Sequence, residues 1–215
     1  MFQNLNKIKT IVVVMIVLAF CLPLNGQAQG PASALSFNGS SYVSLGTVST
    51  APLGDNARTV EAWVKTTSTA YGIFFAYGGT GLLQRFTVGV EGGLINVEAN
   101  NSIVKWTATG VNNGAWHHIS VSYPGTHLGM ATVYLDGSPL SISSTNSNPV
   151  ALTTTSGPGY IGSLDGASFY FNGQVDDLRV WNVARGAPTD RNTELIGNEA
   201  NLVLYYKFNQ SSPSR

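Results

Sequence analysis

The chain has 215 residues, with eleven basic and eleven acidic side chains making up only 10 % of it. No run of Lys or Arg occurs anywhere in it, which argues against nucleic acid or anionic membrane as a partner. A single cysteine excludes an internal disulfide framework, and the length suits one domain with a sizeable core.

The first residues read as an export signal. Lys7 and Lys9 precede an unbroken apolar run from Ile11 to Leu18, followed by Pro23 and the small-residue site Gly26-Gln27-Ala28. That is the layout of a secretory signal peptide, which predicts cleavage after Ala28 and leaves residues 29–215 as one domain. A retained membrane anchor is the alternative, although a span needs about 20 apolar residues. Cys21 follows the bulky Phe20, a poor lipoprotein site, so it leaves with the leader. After Ala28 eleven acidic side chains face nine basic ones. The expected product is secreted or held at the cell surface, with no membrane contact once the leader is gone.

From Ala34 onward, short segments of period-two alternation are separated by turn residues. Leu35 and Phe37 alternate, Asn38-Gly39-Ser40 turns, and Tyr42 to Leu45 resumes, which predicts a hairpin. Thr59 to Lys65 sets Val60, Ala62 and Val64 on one face, and Glu61 and Trp63 on the other. Ile73 to Tyr77, Phe86 to Glu91 and Leu94 to Ala99 follow, the last two joined by Gly92-Gly93. Trp106, among Lys105, Thr107 and Thr109, falls in a polar, loop-like stretch. Trp116 to Tyr123 alternates again, with Ile119, Val121 and Tyr123 opposite His118, Ser120 and Ser122. Ala131 to Leu135 leads through Asp136-Gly137 to Pro139–Ile142, and Ser143 to Gly159 reads as an exposed loop. Tyr160 to Gly162, Gly173 to Trp181 and Leu202 to Phe208 complete the strands. The one helical candidate is Pro188 to Ile196, capped at Thr189. So many short strands predict an all-β, two-sheet antiparallel sandwich or a barrel, and alternation in nearly every segment favours the sandwich.

The stretch Asn172 to Trp181, NGQVDDLRVW, carries two adjacent carboxylates. Strict alternation puts Val175, Asp177, Arg179 and Trp181 on one face, and Asp176, Leu178 and Val180 on the other. A carboxylate on an aliphatic face needs a cation or several donors, because burying it bare is very costly.

Four motifs stand in order: ALSFNGSSYVSLG, RTVEAWVK, GAWHHISVSY followed by VYLDG, and NGQVDDLRVWNVAR. Together they resemble the laminin G-like, concanavalin A-like jelly-roll domains of secreted bacterial proteins, from Ala34 to about Phe208. The resemblance implies two curved antiparallel sheets in a concanavalin A-like jelly roll. Its members mostly bind carbohydrate or protein, and many carry calcium near the paired chain ends. Phe37-Asn38-Gly39 corresponds to the family's F-D-G turn, and Val175 to Trp181 to its I-D-E/D-V-R-I-Y strand. On that correspondence Asn38, Gly39 and Asp176 are the candidate ligands of a structural calcium ion. Asn38 replaces the common Asp and removes one negative charge, yet calcium accepts amide and backbone oxygens too. The alternative is that Asp176 accepts hydrogen bonds from the Asn38–Ser40 backbone and ties the chain ends together.

Related sandwiches include glycoside hydrolases, which need two carboxylates about 5–5.5 Å apart for retention and wider for inversion. No E-x-D-x-E pattern occurs, Asp176 and Asp177 point apart, and only the fold could bring Glu91 and Glu98 together. No Ser-His-Asp set, H-E-x-x-H or phosphate loop is present. His117 and His118 face opposite ways with His127 the only other histidine, which supports no zinc site. The chain therefore reads as a secreted, non-catalytic binding module that recognises a glycan. A protein–protein or cell-adhesion module of the same fold is the alternative, and a glycoside hydrolase the remote one. Trp106, Tyr71 and Tyr170 are the candidate exposed aromatics for sugar stacking. Glu61, Trp63 and His118 share strand faces opposite the aliphatic residues and are candidates as well, unless Trp63 and Trp116 serve as core anchors.

Overall fold

The computed structural model describes residues 33–146 and 150–209; the expected signal peptide, residues 1–28, lies outside the described residues. Two seven-stranded antiparallel sheets pack face to face. The first runs β1 (Leu35–Asn38), β13 (Asn172–Trp181), β3 (Arg58–Lys65), β8 (Trp116–Tyr123), β9 (Thr132–Leu135) and β10 (Ser138–Pro139), with β14 (Leu202–Tyr206) also paired to β13. The second runs β11 (Ile142–Asn146), β7 (Ser102–Thr107), β6 (Leu94–Ala99), β5 (Arg85–Glu91), β4 (Gly72–Gly78), β12 (Pro158–Ile161) and β2 (Val43–Thr47). This is the all-β jelly-roll sandwich that the alternation predicts. In the central strands alternate side chains enter the space between the sheets, as with Val60, Ala62 and Val64 of β3, which share one core with Phe86 and Val88 of β5.

The structure departs from the strand readings in several places. Leu35–Asn38 and Val43–Thr47 do not form a hairpin: β1 pairs with β13, β2 pairs with β12, and the turn between them crosses from one sheet to the other. The stretch around Trp106 is a strand, β7, between β6 and β11. Its Val104 and Trp106 enter the core while Lys105 and Thr107 face out, an alternation masked by the polar residues around it. The segment read as a loop contributes β11, anchors Leu152 and Thr154 in buried positions, and reaches β12. Pro188 to Ile196 forms turns and no helix.

The largest correction concerns β13. Against β3, Asp176 pairs with Trp63 but the next pair is Arg179 with Glu61, so three steps on β13 match two on β3. This is a β-bulge, and Asp177 within it takes φ 51°. The extra residue resets the alternation, so Val175, Leu178 and Val180 all enter the core. Asp176 lies on the opposite face beside Trp63, away from the aliphatic side chains it was expected to join. β1 and β14 take consecutive parts of the same edge of β13, pairing with Asn172–Val175 and Leu178–Trp181.

One end of the sandwich is closed by a buried cation. Arg58 is fully buried among the rings of Tyr77, Phe86 and Tyr123. Its guanidinium donates to Tyr77 Oη at 2.8 Å, Thr154 Oγ1 at 3.0 Å and the Gly54 and Asn56 carbonyls. A buried charge this well supplied with acceptors and ring faces is a structural bolt.

Candidate functional site

The residues singled out in the sequence separate into four places. Trp106 is 1 % exposed and packs in the core, so it offers no surface to a sugar. Glu61, Trp63 and His118 do share the outer face of the first sheet, as parity requires, but that face is covered. The segment 182–201 folds across it: Trp63 Nε1 donates to the Arg191 carbonyl at 3.1 Å, and Thr59 Oγ1 donates to the Val183 carbonyl at 2.8 Å. Arg185 stacks over Trp181 at 3.9 Å and donates to Glu61 Oε1 at 2.8 Å. His118 meets the Trp63 ring edge-on at 5.3 Å. Burial outweighs Arg185 and Arg179 and pushes the Glu61 carboxyl up to about 7, while burial and Arg179 push His118 down to about 3, so its ring is neutral. These three residues belong to a second, sealed layer of the fold.

The candidate calcium ligands do not form one site. Asn38 pairs with Asn172, whereas Asp176 lies four positions further along β13, roughly 13 Å at about 3.4 Å per residue. Calcium needs its oxygens at about 2.3–2.6 Å. The Asn38 side-chain oxygen instead accepts from Ser40 N at 3.1 Å and Ser40 Oγ at 2.9 Å, and Gly39 N donates to the Phe171 carbonyl. Asp176 is 1 % exposed and accepts from the Asp177 amide at 2.8 Å. Its neighbour Asp177 pairs with Arg179. Burial first, and the Asp177 charge next, push the Asp176 carboxyl up to about 7. Among the described residues no three His, Cys, Asp or Glu side chains gather as a metal site would require.

Tyr71 and Tyr170 are brought to one place, the outer face of the second sheet. Because Phe86 and Val88 of β5 enter the core, Arg85, Thr87, Gly89 and Glu91 project outward. One row across this face runs Tyr160 of β12, Ala76 of β4, Thr87 of β5 and Glu98 of β6. Gly89 admits the Tyr71 ring: a Cβ there would stand 2.7 Å from Tyr71 Cε2. Thus seated, Tyr71 donates its hydroxyl to Glu98 Oε2 at 3.1 Å. Burial, reinforced by the Glu98 charge, drives the Tyr71 hydroxyl pKa strongly upward, and burial raises that of Glu98. The pair is therefore a neutral donor on a carboxyl acceptor across physiological pH.

The rim of this face is the loop 163–170, of which the sequence reading singled out Tyr170 alone and missed Asp165, Phe169 and their neighbours. Asp165 Oδ1 accepts from Ala167 N, Ser168 N and Ser168 Oγ at 3.0, 2.9 and 2.9 Å. Gly166 N donates to Ser163 Oγ, and Tyr170 Oη to the Gly166 carbonyl. The loop so braced holds Phe169 at φ 49° with 48 % of its surface exposed. A bulky residue in the left-handed region is an outlier that the surroundings must enforce. The Phe169 ring lies 5.2 Å from Tyr71. Tyr42, 44 % exposed, sits over Gly166 and 6.0 and 6.3 Å from Tyr160 and Tyr170. The sequence signal for this rim is SLDGASFYF, an Asp-Gly turn running into three aromatics of which only Phe171 enters the core.

A family model described as the concanavalin A-like lectin/glucanases superfamily, of laminin G type, matches residues 37–189. Among solved structures, a putative carbohydrate binding protein from Bacteroides ovatus is similar at TM-score 0.59 and 17 % identity, covering 86 % of this chain and 54 % of that one. Domains LG4-5 of the mouse laminin α1 chain are similar at TM-score 0.52 and 20 % identity, over 69 % of this chain and 40 % of that one. A SAP-like pentraxin from Limulus polyphemus is similar at TM-score 0.52 and 19 % identity, over 71 % and 76 %. The chain thus spans about half the length of the first of these structures. No curated protein matches it in sequence. The matched motifs, the paired seven-stranded sheets and the shared β13 edge agree: the chain belongs to the concanavalin A-like lectin/glucanase superfamily of laminin G type.

Proposed function

We propose that the chain is a secreted, non-catalytic carbohydrate-binding module whose ligand lies on the outer face of the second sheet. The observation that carries this reading is Phe169, half exposed in a strained backbone conformation and braced beside Tyr71. Exposed rings held rigidly at about van der Waals distance from one another offer apolar faces to a sugar ring with little ordering entropy to lose. The polar groups beside them, Tyr71 and Glu98, supply the directional contacts that hydroxyls require. Non-catalysis is supported by the carboxylates. Glu98 pairs with Thr87, four positions from Glu91 on β5, roughly 13 Å by strand rise, beyond the ~5–9.5 Å of glycosidase pairs. Glu91 is also held by Lys105 and Asn96. Export follows from the leader sequence and is part of the proposal; among the described residues no helix is long and apolar enough to cross a membrane.

The test is a glycan and polysaccharide array probed with the wild type and with Tyr42→Ala, followed by titration of each hit. Binding by the wild type and at least a tenfold weakening in Tyr42→Ala, measured at a temperature where circular dichroism shows the variant fully folded, are expected. A blank array alongside capture of a defined extracellular protein would replace this reading with the adhesion module.

A further inference from the structure

The outer face of the second sheet holds a cation with no partner. Arg85 is 5 % exposed, yet among the described residues its guanidinium makes no hydrogen bond and no ion pair. The other deeply buried arginines are different: Arg58 has four acceptors, and Arg179 pairs with Asp177 and donates to the Asp190 and Thr193 carbonyls. The Arg85 nitrogens are not among the sealed polar atoms of the interior, so an incoming group can reach them. A buried, unfilled donor set of this kind calls for an external acceptor.

Its position on the platform follows from register. Arg85 faces outward two residues before Thr87, and Thr87 pairs with Glu98, which makes Arg85 and Glu98 diagonal neighbours about 7–8 Å apart by backbone. Opposite Arg85 stands Gly78, and opposite Thr87 stands Ala76, beyond which is Tyr160. On this face only the small residues Gly78 and Ala76 of β4 stand between β5 and the Tyr160 strand. Glu98 engages Tyr71 through Oε2 alone. The field of Arg85 reaches both Glu98 and Asp165, and the other nearby cation, Lys105, is already paired with Glu91.

We infer that Arg85 and Glu98 form a polar subsite for a neutral sugar unit with two free vicinal hydroxyls. One hydroxyl accepts from Arg85, and its neighbour donates to Glu98, while Tyr160 and Tyr71 flank the ring. A donor-only group beside an acceptor matches the paired donor and acceptor character of adjacent hydroxyls. A uronate or sulfate would satisfy Arg85 but bring its charge against Glu98 and Asp165, so acidic glycans are excluded. This inference rests on the carbohydrate-binding reading and adds the chemistry of the ligand.

The experiment uses isothermal titration of the full chain with soluble polysaccharides. A neutral 1,4-linked mannan, galactan and xylan keep the O2–O3 diol; a 1,3-linked glucan lacks it; polygalacturonate and heparin carry acid groups. Binding is expected for one or more of the 1,4-linked neutral polymers and not for the others. It should disappear after periodate cleavage of the diols in the bound polymer, and weaken at least tenfold in Arg85→Met and in Glu98→Gln at melting temperatures within a few degrees of wild type. If Arg85→Met does not fold, Glu98→Gln and the periodate arm carry the same test. Preference for polygalacturonate or heparin, equal binding of the 1,3-linked glucan, or survival of binding after periodate would overturn the diol subsite while leaving the platform in place. No binding to any carbohydrate would overturn the parent reading itself.

Discussion

Phe169 separates stability from binding in a way that can be measured. The residue is 48 % exposed at φ 49°. An L-residue in the left-handed region carries about 1–2 kcal/mol of strain, from which glycine is free. An aromatic side chain presents about 150–250 Å², so roughly 100 Å² is packed and a similar area is open. At about 25 cal/mol per Å² the packed half contributes ~2 kcal/mol. Phe169→Ala loses that packing and keeps the strain, so it should be destabilised by about 2 kcal/mol. Phe169→Gly loses the same packing, sheds the strain, and adds ~0.5–1 kcal/mol of backbone entropy, for a net loss of about 0.5–2 kcal/mol. Glycine should therefore match or exceed alanine, the reverse of the usual order. The open half, once covered by a sugar, is worth up to ~2 kcal/mol by the same area rule, about 30-fold in affinity, and both variants lose it. Urea unfolding and isothermal titration of a polysaccharide hit give the two readouts. A glycine variant clearly less stable than alanine would refute the strained backbone, and unchanged affinity in both folded variants would remove Phe169 from the site.

Other outcomes follow from the interior. With the Asp176 carboxyl at about 7 when folded and near 4 when unfolded, the folded state binds the extra proton between those values. Stability therefore falls as pH rises through that window. Asp176→Asn should lessen the fall, leaving the part that the Glu61 carboxyl contributes in the same window, and stabilise the protein at pH 8 by on the order of 2–4 kcal/mol, with little effect at pH 4; chemical unfolding across pH would show this, and millimolar calcium should leave the wild-type curve unmoved. A loss of stability at pH 8 on that substitution would instead indicate a bound cation. Trp106→Ala should cost about 3–5 kcal/mol as a core cavity and, while folded, leave glycan affinity unchanged, contrary to what a surface ring would do.

How much was legible differs between fold and site. Period-two alternation exposed nearly every strand because a sandwich strand has one wet and one dry side, and the pattern is written residue by residue. It failed at β13 because a bulge inserts one residue without any composition signal, and the single insertion breaks the phase between its two sides, so Val175 and Asp176 take the faces opposite to those that alternation with Leu178 and Val180 assigns. It failed at Trp106 because Lys105, Thr107 and Thr109 are the outward half of an alternating strand, and read alone they look like loop. The Glu61, Trp63 and His118 face was assigned correctly by parity, yet parity says nothing about the segment 182–201 that later covers it.

Local chemistry alone therefore determined the class of fold and most strand faces, since these depend on neighbours in sequence, while the order of four motifs carried the resemblance to the family. Tertiary structure alone decided which of two outward faces the segment 182–201 covers. The sheets look alike in the chain, each with polar and aromatic residues opposite an aliphatic row. The path of 182–201 seals one of them, and the braced loop 163–170 sets the half-exposed Phe169 ring beside Tyr71 at the other. The proposed binding face is a relation between segments far apart in the chain, joined here by sheet register and burial.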